Sequence, residues 1–461
     1  MPLRRLLTPC ALALTLAGCA TTAPTIPPAG GVVVPGGWSA TLPAAPAPAA
    51  DPWNGFRDPL LQSLLADALA ANTDVLAAQA RLRGARAARD VASAALLPQL
   101  GVSASAGRSR NPPLPAQNSV KAGFDASWEP DLFGANARAR SAAGADAEAS
   151  AATVAATQLA VAGEVALGYL QLRGTQARLA LAQANLAAQE ETLQIARWRA
   201  QAGLATALDV AQAQSAVEQT RAQIPTLQAS AAQSRHALAV LTGRAPAMLD
   251  AQLGPTAALP EPPAGLSLDL PAATLRRRPD VIAAEYQLQA AAERVAQQQA
   301  ANRPQVSLQA SLAWSALSLG SLGSGGAAAS LLGGLSQPLF DGGRRDALLA
   351  QQQASFDAAR QAYAASVLGA LQDVEDSVAQ LDAARRRLDS LGIAEQAARD
   401  AALLATQRYA SGIVDFQTVL DTQRTLLSVQ DSSASARTDW VSGHVRVLKA
   451  LGIAPAAEPR T

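Results

Sequence analysis

The chain repeats itself once, at a nearly constant separation. Glu164-Val165 corresponds to Asp373-Val374 and Gly243 to Gly452, each pair 209 residues apart. Stretches that begin at Leu96 and Asp131 recur at separations of 206 and 207 residues, so only short loops distinguish the halves. A unit this long is no solenoid repeat of about 20 to 50 residues. The sequence therefore predicts two similar halves, each with the same set of secondary-structure elements.

Alanine-rich runs dominate the composition, and aromatic residues make up only 3% of the chain. Alanine is the best helix former but buries little surface per residue, so this composition favours long helices in close contact over a thick globular core. The formal net charge of +1 gives no electrostatic case for binding nucleic acid. We expect most charged side chains to lie on solvated helix faces.

The first nineteen residues predict export from the cytoplasm. Arg4-Arg5 precede an apolar stretch, Leu6 to Leu16, that is too short for a stable membrane span and is typical of a secretory signal. It closes on Leu16-Ala17-Gly18-Cys19, which resembles the lipobox of bacterial lipoproteins. The resemblance implies cleavage before Cys19, which then carries N-palmitoyl and S-diacylglycerol groups, and we expect no other cofactor. The alternative is a plain signal peptide that ends near a cysteine.

Residues 20–50 are rich in Pro, Ala and Gly, which predicts an extended tether. Helical periodicity begins at Asp58, and a second helix follows the cap Asn72-Thr73-Asp74 and runs towards Pro98.

After Pro98 the hydrophobic period changes from 3.6 to 2. Apolar residues alternate with small or polar ones over Leu100–Ala106 and Val120–Trp128, then again over Val306–Trp314, and a weaker strand follows at about 328–337. Each half thus carries one hairpin. Strands with one apolar side suit a barrel that has a wet lumen and a lipid-facing exterior, with Trp128 and Trp314 at opposite rims. A soluble β-sandwich is the alternative.

Two very long helices separate these hairpins. Residues 135–201 and 343–410 contain no proline, and either stretch would reach ~100 Å as one continuous helix. A turn at Gly203 or Gly412 and a returning helix follow. The first returning helix has an apolar heptad repeat, which Pro225 must interrupt or bend. These patterns predict coiled-coil hairpins.

Four strands cannot close a barrel, and every backbone polar group in lipid must be paired, so the chain is expected to oligomerise. Two copies give eight strands, whose interior is filled by side chains, whereas three copies give twelve and can leave an open channel. The expected fold class is a mixed α and β membrane protein, mainly α, with an internal two-fold sequence repeat.

Nine motifs follow one another between residues 50 and 453: Trp53-Asn-Gly-Phe-Arg-Asp-Pro59, Asn72-Thr-Asp74, Leu96-Leu97-Pro98, Pro130-Asp-Leu-Phe-Gly134, Arg221-Ala-Gln-Ile-Pro225, Leu241-Thr-Gly243, Arg278-Pro-Asp-Val281, Gln337-Pro-Leu-Phe340 and Val419-Leu-Asp-Thr-Gln423. Together with the duplication they resemble the outer-membrane efflux lipoproteins of the OprM and NodT type, relatives of TolC. The resemblance implies a homotrimer in which four strands per chain form a twelve-stranded β-barrel, continuous with a long periplasmic α-helical coiled-coil barrel.

The same resemblance implies a function. Such a protein is lipid-anchored in the outer membrane, spans it and extends into the periplasm. It is the exit duct of a tripartite pump and works with a periplasmic adaptor and an inner-membrane antiporter of the resistance-nodulation-division class. It passively conducts drugs or other small toxic compounds.

The expected organisation of the chain is as follows: signal peptide 1–18; lipidated tether 19–52; N-terminal equatorial helices 53–98; β-hairpin 99–129; helical hairpin 130–246; inter-repeat equatorial segment and helix 247–303; β-hairpin 304–338; helical hairpin 339–453; C-terminal tail 454–461.

The resemblance also implies a periplasmic gate at the helical tips. An aspartate beyond the first tip pairs with a tyrosine just before the second, and aspartates on the inner returning helix narrow the pore. Alignment on the tip glycines assigns these roles to Asp209, Tyr409 and Asp421.

This sequence departs from the family at the gate in two places. Val414 stands where the family has an arginine, and Thr418 stands where it has a further pore aspartate. Either the latch is weaker or Asp415 supplies the negative ring. The alternative role of Asp415 and Asp421 is a favourable charge in the first turn of a helix.

The tips themselves, Ala202 to Leu208 and Ser411 to Gln417, are the expected docking surface for the adaptor. Gly203, Leu204, Gly412 and Ile413 lie within these turns.

The sequence shows no catalytic constellation, phosphate loop or metal-spaced cluster, and we expect no enzymatic activity. His236 and His444 lie in helical stretches. Two alternative functions remain open: a duct for a type I protein secretion system, and a structural lipoprotein that conducts nothing.

Overall fold

A computed structural model describes residues 22–39, 52–110, 112–113, 115–263, 266, 268–269, 271–322 and 324–455. The expected signal peptide and Cys19 lie outside these residues. The described chain forms two compact units, one from residues 22–32, 80–152 and 282–367 and the other from the remaining parts.

The helices are α1 Pro59–Ala71, α2 Thr73–Ala94, α3 Ala135–Gln201, α4 Ala207–Leu241, α5 Asp250–Leu253, α6 Pro271–Arg277, α7 Pro279–Ala301, α8 Arg344–Ala410 and α9 Phe416–Ala450. The strands are β1 Gln99–Ser109, β2 Gln117–Trp128, β3 Gln305–Ala316 and β4 Ala328–Ser336. Each half thus consists of a β-hairpin, a helix of 67 residues and a returning helix of 35 residues.

The four strands of the first unit form one antiparallel sheet in the order β1-β2-β3-β4. Its register brings most apolar residues of the four strands to the same face, because Leu100 pairs with Ala126, Ala126 with Ala310, and Ala310 with Leu331; Leu332 lies on the other face. Side chains alternate between faces along a strand. The other face carries polar side chains, where Ser103 Oγ donates to Asp125 Oδ2 at 2.6 Å.

Both tryptophans of the sheet lie on the apolar face. In the β2–β3 register Trp128 pairs with Leu308 and Ala122 pairs with Trp314, so the two indoles are six positions apart along the strands. Six positions span ~20 Å. Because strands in membrane barrels tilt by roughly 35–45°, this corresponds to ~15 Å of barrel height, which is less than the roughly 25 Å of the apolar band between the aromatic girdles.

The two helical hairpins have the same helix-ending geometry as well as the same helix lengths. Gly203, Gly243, Gly412 and Gly452 all have φ between +69° and +76°. Each ends its helix in a Schellman motif, in which the residue after the glycine donates its N–H to the carbonyl five residues earlier, for example Leu204 to Arg199 at 2.7 Å and Ile413 to Arg408 at 2.9 Å. Glycine is required here because a left-handed φ is costly for other residues.

The returning helix α4 continues through Pro225. Of the two expected effects of this proline, an interruption of the helix does not occur. The pyrrolidine removes one backbone hydrogen bond, but the helix is held on both sides of the proline by packing of buried residues such as Val217 and Leu238.

The core of the second unit joins the two ends of the folded chain. Trp53 and Phe56 are fully buried, and Trp53 Nε1 donates to the carbonyl of Ile453 at 2.8 Å, across 400 residues of sequence. Tyr169 in α3 is buried in the same core.

Part of the expected tether contacts the folded chain. Trp38 Nε1 donates to the carbonyl of Asp269 at 2.7 Å. Ser39 donates from its backbone N–H and its hydroxyl to the Glu375 carboxylate at 2.8 and 2.6 Å. Residues 38 and 39 are therefore fixed to the second unit.

Candidate functional site

Two turns at the ends of the helical hairpins contain the expected gate and docking residues. Residues 202–206 connect α3 to α4, and residues 411–415 connect α8 to α9. Leu204 and Ile413, which follow the tip glycines, are 70% and 72% exposed. In a Schellman motif an apolar residue at this position usually packs back on the helix. Here both side chains remain available to another surface.

Hydrogen bonds to the helix backbone fix the two acidic residues nearest the turns. Asp209 and Thr206 form a capping box, in which the backbone N–H of Thr206 donates to Asp209 Oδ2 at 2.8 Å and that of Asp209 to Thr206 Oγ1 at 3.2 Å. Asp415 is the N-cap of α9 and accepts from the hydroxyl of Thr418 at 2.5 Å and from its N–H at 2.9 Å. These two hydrogen bonds, the hydroxyl first, lower the pKa of the Asp415 carboxyl.

Asp421 lies beyond the first turn of α9, so the helix-dipole alternative does not fit this residue. Its carboxylate is exposed, accepts from Gln417 Nε2 at 2.9 Å and lies 3.8 Å from Arg424 Nη1. Asp421 therefore presents a negative charge to solvent one turn beyond the tip.

The expected hydrogen bond between Asp209 and Tyr409 is not formed in this conformation. The Asp209 carboxylate is occupied by Thr206, and the Tyr409 hydroxyl is buried with no hydrogen-bond partner in the described part of the chain. Burial raises the pKa of Tyr409, and the nearby Asp209 charge raises it further, while Arg199 opposes the shift. The two residues are thus electrostatically coupled without direct contact.

Tyr409 packs on a small apolar cluster, here called the tip cluster. Its buried members are Leu193, Ala196, Ala213, Ala216, Val217, Phe416 and Leu420. The rings of Tyr409 and Phe416 are tilted by 52° with centroids 5.3 Å apart. The cluster joins α3, α4 and α9, and Tyr409 adds the end of α8.

Arg199 was not selected from the sequence as a site residue, yet it contacts the tyrosine of the expected latch. Its guanidinium carbon lies 4.3 Å from the centroid of the Tyr409 ring, and its Nη1 donates to the Tyr409 carbonyl at 3.1 Å. No local pattern in the sequence identifies Arg199, because the contact joins helix ends 210 residues apart.

A second group of charged residues, also outside the predicted set, lies in the same unit. Arg278 donates to Asp280 at 3.0 and 2.6 Å, to Asp373 at 2.9 Å and to the carbonyl of Ala450 at 3.0 Å. Burial by itself would lower the pKa of Arg278, but the two carboxylates outweigh burial and raise it. The same pairing lowers the pKa of Asp280 against the opposing effect of its burial. The motif Arg278-Pro-Asp-Val281 was the sequence signal for this group, which connects the start of α7 with α8 and the end of α9.

Residues 64–244 and 270–453 match the family described as outer membrane efflux protein. The two matched segments correspond to the two halves of the duplication.

Characterised relatives cover most of the chain. It is 33% identical over 415 residues to the toluene efflux pump outer membrane protein TtgF of Pseudomonas putida, which covers 86% of this chain and 84% of that protein. It is 33% identical over 423 residues to the pyoverdine export outer membrane protein OpmQ of Pseudomonas aeruginosa, with 87% and 86% covered.

Solved structures share the fold. The outer-membrane channel OprN superposes with a TM-score of 0.86 at 32% identity over 95% of this chain and 100% of the other. The outer membrane protein VceC of Vibrio cholerae does so with a TM-score of 0.81 at 27% identity over 89% and 100%. These likenesses confirm the fold class that the sequence predicts. The chain belongs to the outer membrane efflux protein family and is an exit duct located in the outer membrane.

Proposed function

We propose that three copies of the chain form the outer-membrane duct of a tripartite pump. The observation that carries this proposal is the sheet, which has one exposed apolar face and two outer strands, β1 and β4, with no partner beyond them among the described residues. Unpaired backbone groups cannot face lipid, so each edge requires a strand from another copy. Twelve strands from three copies leave an open lumen, whereas eight do not.

The duct receives its cargo from an inner-membrane antiporter of the resistance-nodulation-division class through a periplasmic adaptor. The exposed Leu204 and Ile413, each beside a rigid glycine turn at Gly203 or Gly412, support docking of the adaptor at the tips. Substrate choice belongs to the inner-membrane partner. The duct itself passes small toxic compounds, in keeping with a relative named as a toluene efflux pump protein.

In this proposal the tips are also the gate. Tyr409 holds the second tip through its packing on the tip cluster, and Asp209 acts on it through charge without a hydrogen bond. Asp415 and Asp421, each present three times in the trimer, set a negative constriction. Lipid on Cys19 anchors each copy in the membrane in addition to the barrel.

Assembly and conduction are tested on the purified full-length protein. Native mass spectrometry in detergent should give three copies, and planar bilayers should show discrete ion currents. A monomer that yields no current would support the structural lipoprotein instead. Labelling cells with an alkyne analogue of palmitate should mark the wild type and not Cys19→Ser; labelling of both would refute lipidation at this residue.

Docking is tested with a photo-crosslinking amino acid placed at position 204 or 413 in living cells. Crosslinked partners identified by mass spectrometry should be an adaptor encoded with an antiporter. An adaptor of an ATP-driven protein exporter would favour the type I secretion duct. The same probe at Met248, an exposed apolar residue outside the tips, is the matched control and should capture no adaptor.

A further inference from the structure

The duplication relates two arginines at the helix ends, and their side chains behave differently. Arg199 and Arg408 are 209 residues apart, and their backbone carbonyls have the same role, each accepting the closing hydrogen bond of a Schellman motif. The Arg408 side chain is exposed and has no ion pair or ring contact with any described residue. The Arg199 side chain lies over Tyr409.

This difference has a simple origin in the sequence. The residue equivalent to Tyr409 in the first half is Ala200, so Arg408 has no corresponding ring on which to stack. The contact between Arg199 and Tyr409 is therefore not a structural necessity of the repeated hairpin. The arginine at the end of α3 contacts the end of α8, whereas the arginine at the end of α8 makes no such contact with the end of α3 among the described residues.

Three interactions act together at this contact. The guanidinium faces the aromatic ring at 4.3 Å, which is a favourable cation–π distance. It donates at 3.1 Å to the Tyr409 carbonyl, which also accepts the N–H of Gly412 at 3.0 Å. The positive charge also lies in the last turn of α3 and contacts the last turn of α8, where both helix dipoles are negative. Any movement that separates the two helix ends loses the ring contact, the hydrogen bond and the interaction with the dipole of α8 at once.

We propose that Arg199 is a positioning residue of the gate, which fastens the first tip to the second within one chain and opposes opening. This inference rests on the proposed function, in which the tips move apart to open the duct. Tyr409 is held on its other side by Phe416 and the tip cluster, so Arg199 acts on the gate through a ring that is already fixed.

Single-channel recording on the full-length protein in planar bilayers tests the inference. Arg199→Ala should raise the fraction of time spent open by ~5- to 20-fold, the size expected when a partly buried cation–π contact and a charged hydrogen bond are lost. Arg199→Lys keeps the charge and should have a smaller effect. Arg408→Ala removes the same atoms at the equivalent position of the other tip and should gate as the wild type does.

A double-mutant cycle assigns the effect to the ring. In a Tyr409→Leu background, Arg199→Ala should add little, since its partner is already absent. Equal gating of Arg199→Ala and Arg408→Ala, or full additivity with Tyr409→Leu, would overturn the inference. Thermal unfolding of Arg199→Ala and Arg408→Ala shows whether a change in gating merely follows a loss of stability. If the open fraction tracks the melting temperature in both variants, the inference is also overturned.

A tip lock separates this inference from the proposed gate. Leu204→Cys with Ile413→Cys, joined by a bifunctional maleimide, should hold the tips together and reduce the current. Unchanged current after crosslinking would refute a gate at the tips and the role of Arg199 with it. Reduced current after crosslinking, together with an Arg199→Ala variant that gates as the wild type does, would support the gate and refute only the role of Arg199.

Discussion

At the scale of single residues, the role of an aspartate or arginine side chain in this protein depends more on the group it contacts than on its residue type. Resemblance assigned Asp209 to a gate, and Asp415 was the alternative source of a negative ring. The carboxylates of both also accept backbone N–H groups at the start of a helix. Arg199 and Arg278 make contacts to groups far away in sequence. No local pattern could have identified those partners, because spacing reports only neighbours along the chain.

Tyr169 provides a residue-scale prediction about pH. Its buried hydroxyl donates to Asp58 Oδ2 at 2.7 Å, and burial, followed by this hydrogen bond to Asp58, raises its pKa to about 12. The folded state thus retains the phenolic proton to higher pH than the unfolded state, whose tyrosine titrates near pH 10. This contribution to stability is complete below pH ~10 and is lost as the pH rises towards 12.

The free energy of unfolding should therefore fall between pH 10 and 12, and Tyr169→Phe should flatten that part of the profile. The variant should also cost about 1 to 2 kcal/mol at pH 7, because Asp58 loses a hydrogen-bond donor. Urea unfolding followed by circular dichroism at a series of pH values measures both effects. An identical alkaline slope in the two proteins would refute the assignment.

At the scale of elements, the duplication preserved backbone geometry while surface contacts diverged. All four helix ends use the same Schellman hydrogen bonds, yet Gly203 and Gly412 face open space, whereas Gly243 and Gly452 lie against neighbouring segments. The sequence predicted a turn at each tip glycine. It could not indicate which glycines are crowded, since crowding comes from segments far away in the chain.

Alanine substitutions separate two reasons for glycine at these positions: the left-handed φ and the lack of space for a Cβ. A Cβ at Gly203 meets nothing within 4 Å, so Gly203→Ala should cost about 1 to 2 kcal/mol from the left-handed φ alone. A Cβ at Gly243 would lie 2.5 Å from the carbonyl oxygen of Ala71, so Gly243→Ala should cost about 3 kcal/mol or more. Thermal unfolding of the two variants tests the difference, and equal costs would contradict the crowding argument.

Adjacent leucines in β4 test the lipid-facing side of the sheet. Leu331 pairs with Ala310 on the apolar face, while Leu332 pairs with Gln309 on the other face, and the two are 75% and 63% exposed. Leu331→Lys should disfavour insertion by about 2 to 4 kcal/mol, because it places a charge in lipid near the middle of the strand. Leu332→Lys places the same charge in the lumen and should be tolerated. The yield of assembled protein in outer-membrane fractions distinguishes the variants, and equal losses would argue against this orientation.

At the scale of the whole molecule, the chain is incomplete by itself. Among the described residues the outer strands of the sheet have no partner, and such edges are not stable in lipid without strands from further copies. The exposed apolar face is stable in lipid but not in water. Threefold assembly also multiplies every exposed charge near the axis. In the proposed constriction a single carboxylate such as Asp421 becomes a ring of three.

The proposed constriction predicts a change in ion selectivity. Asp421→Asn in the assembled protein should lower the ratio of cation to anion permeability by ~2- to 5-fold, because a ring of three charges is removed from the pore. Glu261→Gln, a loss of one exposed charge in the segment between the halves, is the control and should leave the ratio unchanged. Reversal potentials under a potassium chloride gradient measure the ratio; an unchanged potential in the Asp421 variant would exclude it from the constriction.

The sequence by itself determined the architecture of the protein. The 209-residue repeat, the change of hydrophobic period at Pro98 and the proline-free helical stretches specify two hairpins of each kind, because periodicity follows directly from the geometry of strands and helices. Tertiary structure alone decided which side chains meet. It placed Arg199 on Tyr409, left the Tyr409 hydroxyl without a partner among the described residues and brought Asp373 to Arg278. The physical reason is that the two arginine contacts join segments 95 and 210 residues apart. Whether a buried hydroxyl finds a hydrogen-bond partner likewise depends on the packing around it, and local spacing in the sequence encodes neither.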